Sequence, residues 1–271
     1  ALLALVEQVG IGAVVGAEPG IEDVDAVEIA LAHALERQGD MLLAADVKRA
    51  AEGVTAIYHI PPNMTRHEQP MGRIVQTAAK NTGAKLVYHS VLHPQTERMP
   101  HHWNKLHVEE SLFEQNIPFT ILQPTAYMQN FFTYHSAIIH EGRLALPYPP
   151  ETPISLVDLH DVAAVAAKVL LEDGHEGATY ELVGTRPLSQ TAVAQALTTH
   201  LGRTVTAKEI PLVDWEAQAR VNQLTPYAID TLSRMFDYYA QHGLIGNPNV
   251  LRWLLGREPT SLKTFIQREF V

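Results

Sequence analysis

Short β-branched apolar runs alternate along this chain with longer stretches in which apolar residues recur every three or four positions. The runs are Ile11–Val15, Val54–Ile60, Ala84–His89, Pro118–Leu122 and Ala178–Val183. The periodic stretches are Val24–Arg37, Met71–Thr82 and His101–Asn116. Apolar residues at helical spacing predict helices, whereas runs such as Val54–Ile60, apolar on both alternating faces, predict strands buried on both sides. Strand and helix in alternation predict an α/β fold, a Rossmann-type parallel sheet flanked by helices. Ligands of such sheets lie beyond the carboxyl ends of the strands. The segments expected to carry a site are therefore Ile60 with Pro61–Asn63, Ser90–Pro94 and Gln123–Asn130.

Beyond about Thr185 the pattern becomes mostly helical: Ser189–Leu201, Val213–Leu224, Pro226–His242, Asn247–Leu255 and Leu262–Glu269. Asn247 with Pro248 reads as an N-cap and first-turn proline, Ser261 as the cap of the last helix, and Asp158 as the cap of the helix beginning near Val162. The expected organisation is a nucleotide-binding region over residues 1–150. Residues 151–271 are expected to return to the sheet and then form a smaller, helix-rich substrate lobe.

Composition narrows the classes of function. A formal net charge of -10 opposes a protein that grips nucleic-acid phosphates by counterion release, and points to a small molecule or a protein as partner. The chain has no cysteine, which excludes disulfides and thiolate metal sites and suits a cytoplasmic setting. No apolar run reaches the roughly 20 residues that a bilayer span requires.

One stretch carries candidate chemistry. A helix is expected to open just after Pro100, placing His101 and Lys105 four residues apart on one face, with Val108 and Leu112 on the neighbouring face. Ser90 lies at a strand exit just upstream, where its hydroxyl would point into the crevice. Ammonium, imidazole and hydroxyl together can stabilise an anionic oxygen and relay a proton. The plainer alternatives are a surface helix carrying two histidines and a serine that only caps a turn. The histidines at 89, 93, 101, 102 and 107 also raise a metal reading, but no pair of carboxylates completes a ligand set. Tyr127, Phe131, Phe132 and Tyr134 read as core or as a pocket wall.

At these residues the chain resembles the NmrA-like branch of the short-chain dehydrogenase superfamily. The resemblance rests on an ordered set: Gly39-Asp40, Ala45-Asp46-Val47, Gly53–His59, Phe119–Pro124 with Met128 and Asn130, Val157–Ala163, Gly174–Leu182 and Leu201-Gly202-Arg203. It implies a Rossmann fold that binds NAD(P), with members that are either reductases of small organic substrates or regulators sensing the cofactor without turnover. In the related reductases a lysine at this helix start is catalytic, and it matches Lys105. His101 stands where the superfamily's tyrosine precedes its lysine, so imidazole would replace a phenol as proton donor. Ser90 matches the superfamily's serine.

The family's glycine loop, G-x-x-G-x-x-G after a first strand, has no clear match. Gly10, Gly12 and Gly16 have another spacing. The better alignment reads Ala1–Gln8 as the first helix and Ile11–Val15 as the second strand. On that alignment either the glycine loop precedes Ala1 or the amino end is remodelled, with a weakened cofactor site. Glu18, at the end of that strand, would bind the adenosine ribose hydroxyls, or else is an exposed loop carboxylate.

The expectation is an NAD(P)-dependent reductase of a small carbonyl or conjugated substrate, NAD against NADP left open. Lys105, His101 and Ser90 would be catalytic; Glu18, Ile60, Pro61, Pro62, Ser90, Lys105 and Pro124 would hold the cofactor. His93, Tyr127, Met128 and Asn130 would line the substrate pocket. The alternatives are a non-catalytic NAD(P) sensor with a protein partner, a homodimer being possible in either case, and a cofactor-free isomerase or lyase.

Overall fold

The computed structural model describes residues 39–271 in full and 13–17 by their backbone. The expected helix Val24–Arg37, the segment Ala1–Gln8, Gly10, Gly12 and Glu18 lie outside the described residues.

Five strands form the main sheet: β1 (Ala13–Ala17), β2 (Ala56–Ile60), β3 (Lys85–His89), β4 (Phe119–Pro124) and β8 (Ala178–Leu182), in the order β1-β2-β3-β4-β8. β2, β3 and β4 pair in parallel, with Ile57 opposite Leu86 and Leu86 opposite Phe119. β1 departs from the parallel expectation. It runs antiparallel to β2, with Ala13 opposite Ile60. A short apolar strand has no polar alternation to fix its direction, and antiparallel pairing is at least as stable per residue.

Three helices cover one face: α1 (Ala44–Ala51), α2 (Glu68–Thr82) and α3 (Pro100–Glu114). Val47, Val75, Ala79, Val108 and Leu112 from these helices pack on Ile57, Leu86, Tyr88 and Ile121 of the strands. The alternate strand residues Tyr58, Val87 and Leu122 are also buried, so the central strands are covered on both sides. α2 ends at Gly83, whose φ of +73° is the left-handed conformation that glycine adopts without a Cβ penalty.

The contact between α2 and α3 sets the later geometry. A Cβ added at Gly72 would lie 2.8 Å from Val108 Cγ1 and 3.0 Å from Cγ2. The helices therefore meet closer than any side chain at 72 would allow, and Gln76 Nε2 donates across the seam to Ser111 Oγ at 2.7 Å. Gly72→Val is expected to destabilise by about 1–3 kcal/mol through overpacking. In thermal unfolding, Val108→Ala in the same chain should recover much of that loss; independent, additive losses would count against this account.

The described residues divide into two compact units. The first holds those through Pro124 together with Val162–Glu181; the second holds Thr125–Asp161 and Leu182–Val271. The second contains two short parallel pairs, β5 (Ala126–Tyr127) with β7 (Leu156–Val157) and β6 (Arg143–Leu146) with β9 (Thr206–Glu209). Its helices include α5 (Gln190–Leu201), α6 (Leu212–Val221), α7 (Pro226–His242), α8 (Asn249–Leu255) and α9 (Leu262–Glu269); α4 (Leu159–Leu171) spans the boundary. Ser189 and Ser261 cap α5 and α9 by accepting from Ala192 N and Thr264 N. The cap of α8 shifts by one residue: Pro248 holds that position, and Asn247 Oδ1 accepts from Asn249 N at 2.9 Å. No described helix is long and apolar enough to cross a membrane.

Candidate active site

The carboxyl edge of the sheet is where the chain departs from regular geometry. β2 runs into Pro61-Pro62 and β3 into Ser90, and each following loop holds a non-glycine residue at positive φ, Met64 at 51° and His93 at 56°. Such conformations cost about 1–3 kcal/mol each and persist where surrounding contacts hold them. Leu92 N donates to Pro124 O at 2.9 Å, and His102 Nδ1 lies 3.1 Å from His93 O, which fixes the loop after β3.

Proline at the first turn starts α3, and side chains four apart then project together. His101, Lys105 and Glu109 form one such stripe. Lys105 Nζ donates to Glu68 Oε1 at 2.9 Å and to the backbone oxygen of His89 at 3.2 Å. It also lies 5.4 Å from the centre of the Tyr88 ring. Tyr88 donates its O–H to the same Glu68 oxygen at 2.8 Å. Burial, and then the Glu68 charge, raise the Tyr88 phenol well above its usual value, so it remains a donor. One carboxylate oxygen, supplied by the first residue of α2, thus gathers an ammonium and a phenol at the end of β3. Glu68 is buried, while the Lys105 side chain keeps 13% of its surface exposed.

Ser90 follows directly on β3, beside this stripe. Its hydroxyl donates to Glu109 Oε1, and it is only 2% exposed. Gln123 Nε2 reaches both Glu109 oxygens, at 2.9 and 3.0 Å. The reason is the stripe itself: one turn past Lys105, a desolvated carboxyl needs donors, and the serine and glutamine at two strand ends supply them. Burial raises the Glu109 pKa, against those hydrogen bonds and the Lys105 charge.

Four imidazoles surround this centre. His59 stacks on Tyr88 with ring centroids 5.6 Å apart, and both its buried nitrogens lack a hydrogen-bond partner. Tyr58 Oη lies 2.5 Å from His89 Nδ1. His101 and His102 meet edge to face at 4.4 Å, leaving His101 Nδ1 and His102 Nε2 buried and unpaired. Burial, and then neighbouring charges, hold His59 and His89 at about 3. Burial also lowers His102 to about 4 and takes His101 well below its ordinary value. At neutral pH every one of these rings is uncharged. His101 can pass a proton through a neutral N–H but cannot serve as a reservoir of positive charge.

An unfolded chain protonates its histidines near pH 6.5, whereas these four resist protonation when folded. Between the two ranges the unfolded state binds more protons, so their contribution is complete above about pH 6.5 and is lost as pH falls towards 3. Glu109, whose pKa moves up, works in the opposite sense, one group against four. Urea midpoints should therefore fall between neutral pH and pH about 4, and His59→Phe, which keeps an aromatic ring on Tyr88, should flatten that slope. An unchanged slope would refute the assignment for His59.

The other expected site residues are distributed as follows. Ile60, Pro61 and Pro124 are buried, Pro62 and His93 half-buried. In the second unit Met128 is fully buried, Tyr127 half-buried and Asn130 exposed. Among the described residues no group of three histidines or acids could hold a metal ion. Glu68, Tyr88, His59 and Glu109 are members that the sequence did not single out, whereas Gln123 opens one of the expected segments. The spacing of Glu109 from Lys105 was a readable signal; an acid opening a helix reads by default as a partner for the helix dipole.

A sheet whose central strands run parallel, covered by helices and with its polar cluster at the carboxyl edge, makes this a Rossmann-type α/β protein. The chain belongs to the NmrA-like family, whose sequence pattern matches residues 24–270. It is 28% identical over 248 residues to quinone oxidoreductase 2 of Escherichia coli (strain K12), covering 89% of this chain and 86% of that one. It is also 28% identical over 254 residues to the NAD(P)H azoreductase of Xenophilus azovorans, covering 88% and 85%. The crystal structure of an NADPH-dependent quinone oxidoreductase from Escherichia coli complexed with NADPH matches with a TM-score of 0.78 and 26% identity. That match covers 92% of this chain and 89% of that one.

Proposed function

We propose that this chain is an NAD(P)-dependent reductase of a small organic carbonyl or conjugated acceptor, with quinones the first class to try. The observation that carries the reading is the Lys105 ammonium, fixed at the carboxyl end of β3 by Glu68 and the His89 carbonyl. The relatives named above are a quinone oxidoreductase and an azoreductase by name, and the matched crystal structure contains NADPH. The donor set fits such a cofactor. An ammonium has three N–H bonds; two are used within the chain, and the partly exposed side chain leaves the third for a hydroxyl or an acceptor oxygen. Ile60, Pro61, Pro62 and Pro124 would flank the cofactor.

When bound, the nicotinamide supplies the hydride that reduces the acceptor. Lys105 Nζ stabilises the oxygen that becomes negative, an effect largest where water is excluded. The proton for that oxygen comes from the Lys105 ammonium, which solvent replenishes at its exposed side, with the neutral His101 on the same face as a second N–H donor, and Ser90 with Glu109 holds the neighbouring strand end. A quinone that gains a hydride and one proton leaves as the hydroquinone, so atoms and electrons balance. The absence of cysteine suits a cytosolic setting for this work.

The test is oxidation of NADH and of NADPH, in parallel, against a panel of quinones, azo compounds and simple carbonyls. Turnover of one class with one or both cofactors is the expected result. Cofactor binding without turnover of any acceptor would overturn the reductase reading in favour of a cofactor-sensing protein.

A further inference from the structure

The structure assigns to Glu68 the role of positioning residue for Lys105: it holds the ammonium at the end of β3 and cancels its charge, fitting the centre to an uncharged acceptor. This rests on the reading of Lys105 as the catalytic group. Three observations support it. A lysine has a flexible four-carbon stem and a point charge, so its head is placed only by what holds it. Here that holder is a buried carboxylate at 2.9 Å, with the backbone carbonyl of His89. Glu68 is itself held, because the same oxygen accepts from Tyr88, whose ring lies beside the ammonium.

The charge around the centre gives the second half of the inference. The ammonium is matched by Glu68, the surrounding imidazoles are neutral, and Glu109 stands one turn further along α3. Among the described side chains of this cluster Lys105 is the single cation and Glu68 matches it, so the cluster itself offers no surplus positive charge to a carboxylate or sulfonate. An isolated lysine in the same place would select anions, because opposite charges a few ångströms apart attract strongly in a partly dry site. The close packing of α2 on α3 at Gly72 and Val108 fixes the distance between the two helices and hence between the partners.

Glu68→Gln keeps the shape, the Tyr88 contact and one acceptor oxygen, while removing the charge. With the full chain, its kcat for an uncharged quinone should fall by about 100-fold, the order expected when a reacting group is displaced by an ångström. Its preference for that quinone over the sulfonated analogue should shrink by about tenfold. Glu68→Asp, which keeps the charge on a shorter stem, should recover part of kcat. A second measurement does not depend on turnover. In proton–nitrogen correlation spectra of protein labelled in its lysine ammonium groups, Lys105, assigned through Lys105→Arg, should show a protected signal that is lost in Glu68→Gln. A protected Lys105 signal in Glu68→Gln, or kinetic constants per folded molecule that match the parent with only the melting temperature lowered, would overturn the proposal. If the parent chain reduces no acceptor at all, the reductase reading fails, and the ammonium spectra alone decide whether Glu68 positions Lys105.

Discussion

Lys105→Ala is expected to lower kcat/KM for any acceptor this protein reduces by about 100- to 10,000-fold, the range typical of losing a positioned proton donor or charge stabiliser. Lys105 supplies the stripe's single positive charge, and the His89 carbonyl and Glu68 fix its direction. Alanine removes both the charge and the N–H bonds, and no neutral imidazole nearby can replace them. The substitution also leaves Glu68 buried without its counter-ion, a loss of about 3–5 kcal/mol when a desolvated pair is broken from one side. Stability and catalysis would then fall together. The double variant Lys105→Ala with Glu68→Gln separates them, because a neutral amide in that position no longer needs a cation. Its melting temperature should return towards that of the parent while turnover stays low. Full turnover in Lys105→Ala with a confirmed acceptor would remove Lys105 from the mechanism.

The fold was legible because its signal is repeated. Strands β2 (Ala56–Ile60) and β3 (Lys85–His89), covered on both faces, announce themselves by the apolar runs that contain them, and the helix Pro226–His242 by proline at its start and periodic apolar residues after it. The direction of β1 was not legible, since a short apolar strand pairs either way. In the site, Lys105 and His101 could be placed on one helix face from spacing alone. Glu68 could not be joined to them: it is 37 positions from Lys105, on another helix, and only the close approach at Gly72 brings the two together. The hydrogen-bond partners of Ser90 were hidden for a related reason. Its strand-exit position is readable, but whether the hydroxyl faces a crevice depends on Glu109 and Gln123, a helix and a strand away.

In the second unit the largest expected loss of stability comes from Asp158→Ala, at about 3–5 kcal/mol. Asp158 has no exposed surface. Its Oδ1 accepts from Gln129 Nε2 at 2.8 Å and from the backbone N–H of His160 at 3.0 Å, while Oδ2 takes Arg268 Nη2 at 2.9 Å. It therefore caps the start of α4, anchors the segment after β5, and ties down α9 near the carboxyl end. Arg268 gains a second partner in Glu269 and packs over Phe265, so the arginine is held on both sides. A buried carboxylate with three donors is costly to remove because each donor is then left to find water or go unpaired. Arg268→Ala leaves Asp158 buried without its counter-ion but still holding the Gln129 and His160 N–H donors, so its cost should be of the same order as that of Asp158→Ala. Chemical unfolding of both single variants and of the double variant gives the coupling between the two side chains. A double variant no less stable than Asp158→Ala alone would show that the arginine acts only through this aspartate. Losses that simply add would mean that the two hold the segment independently.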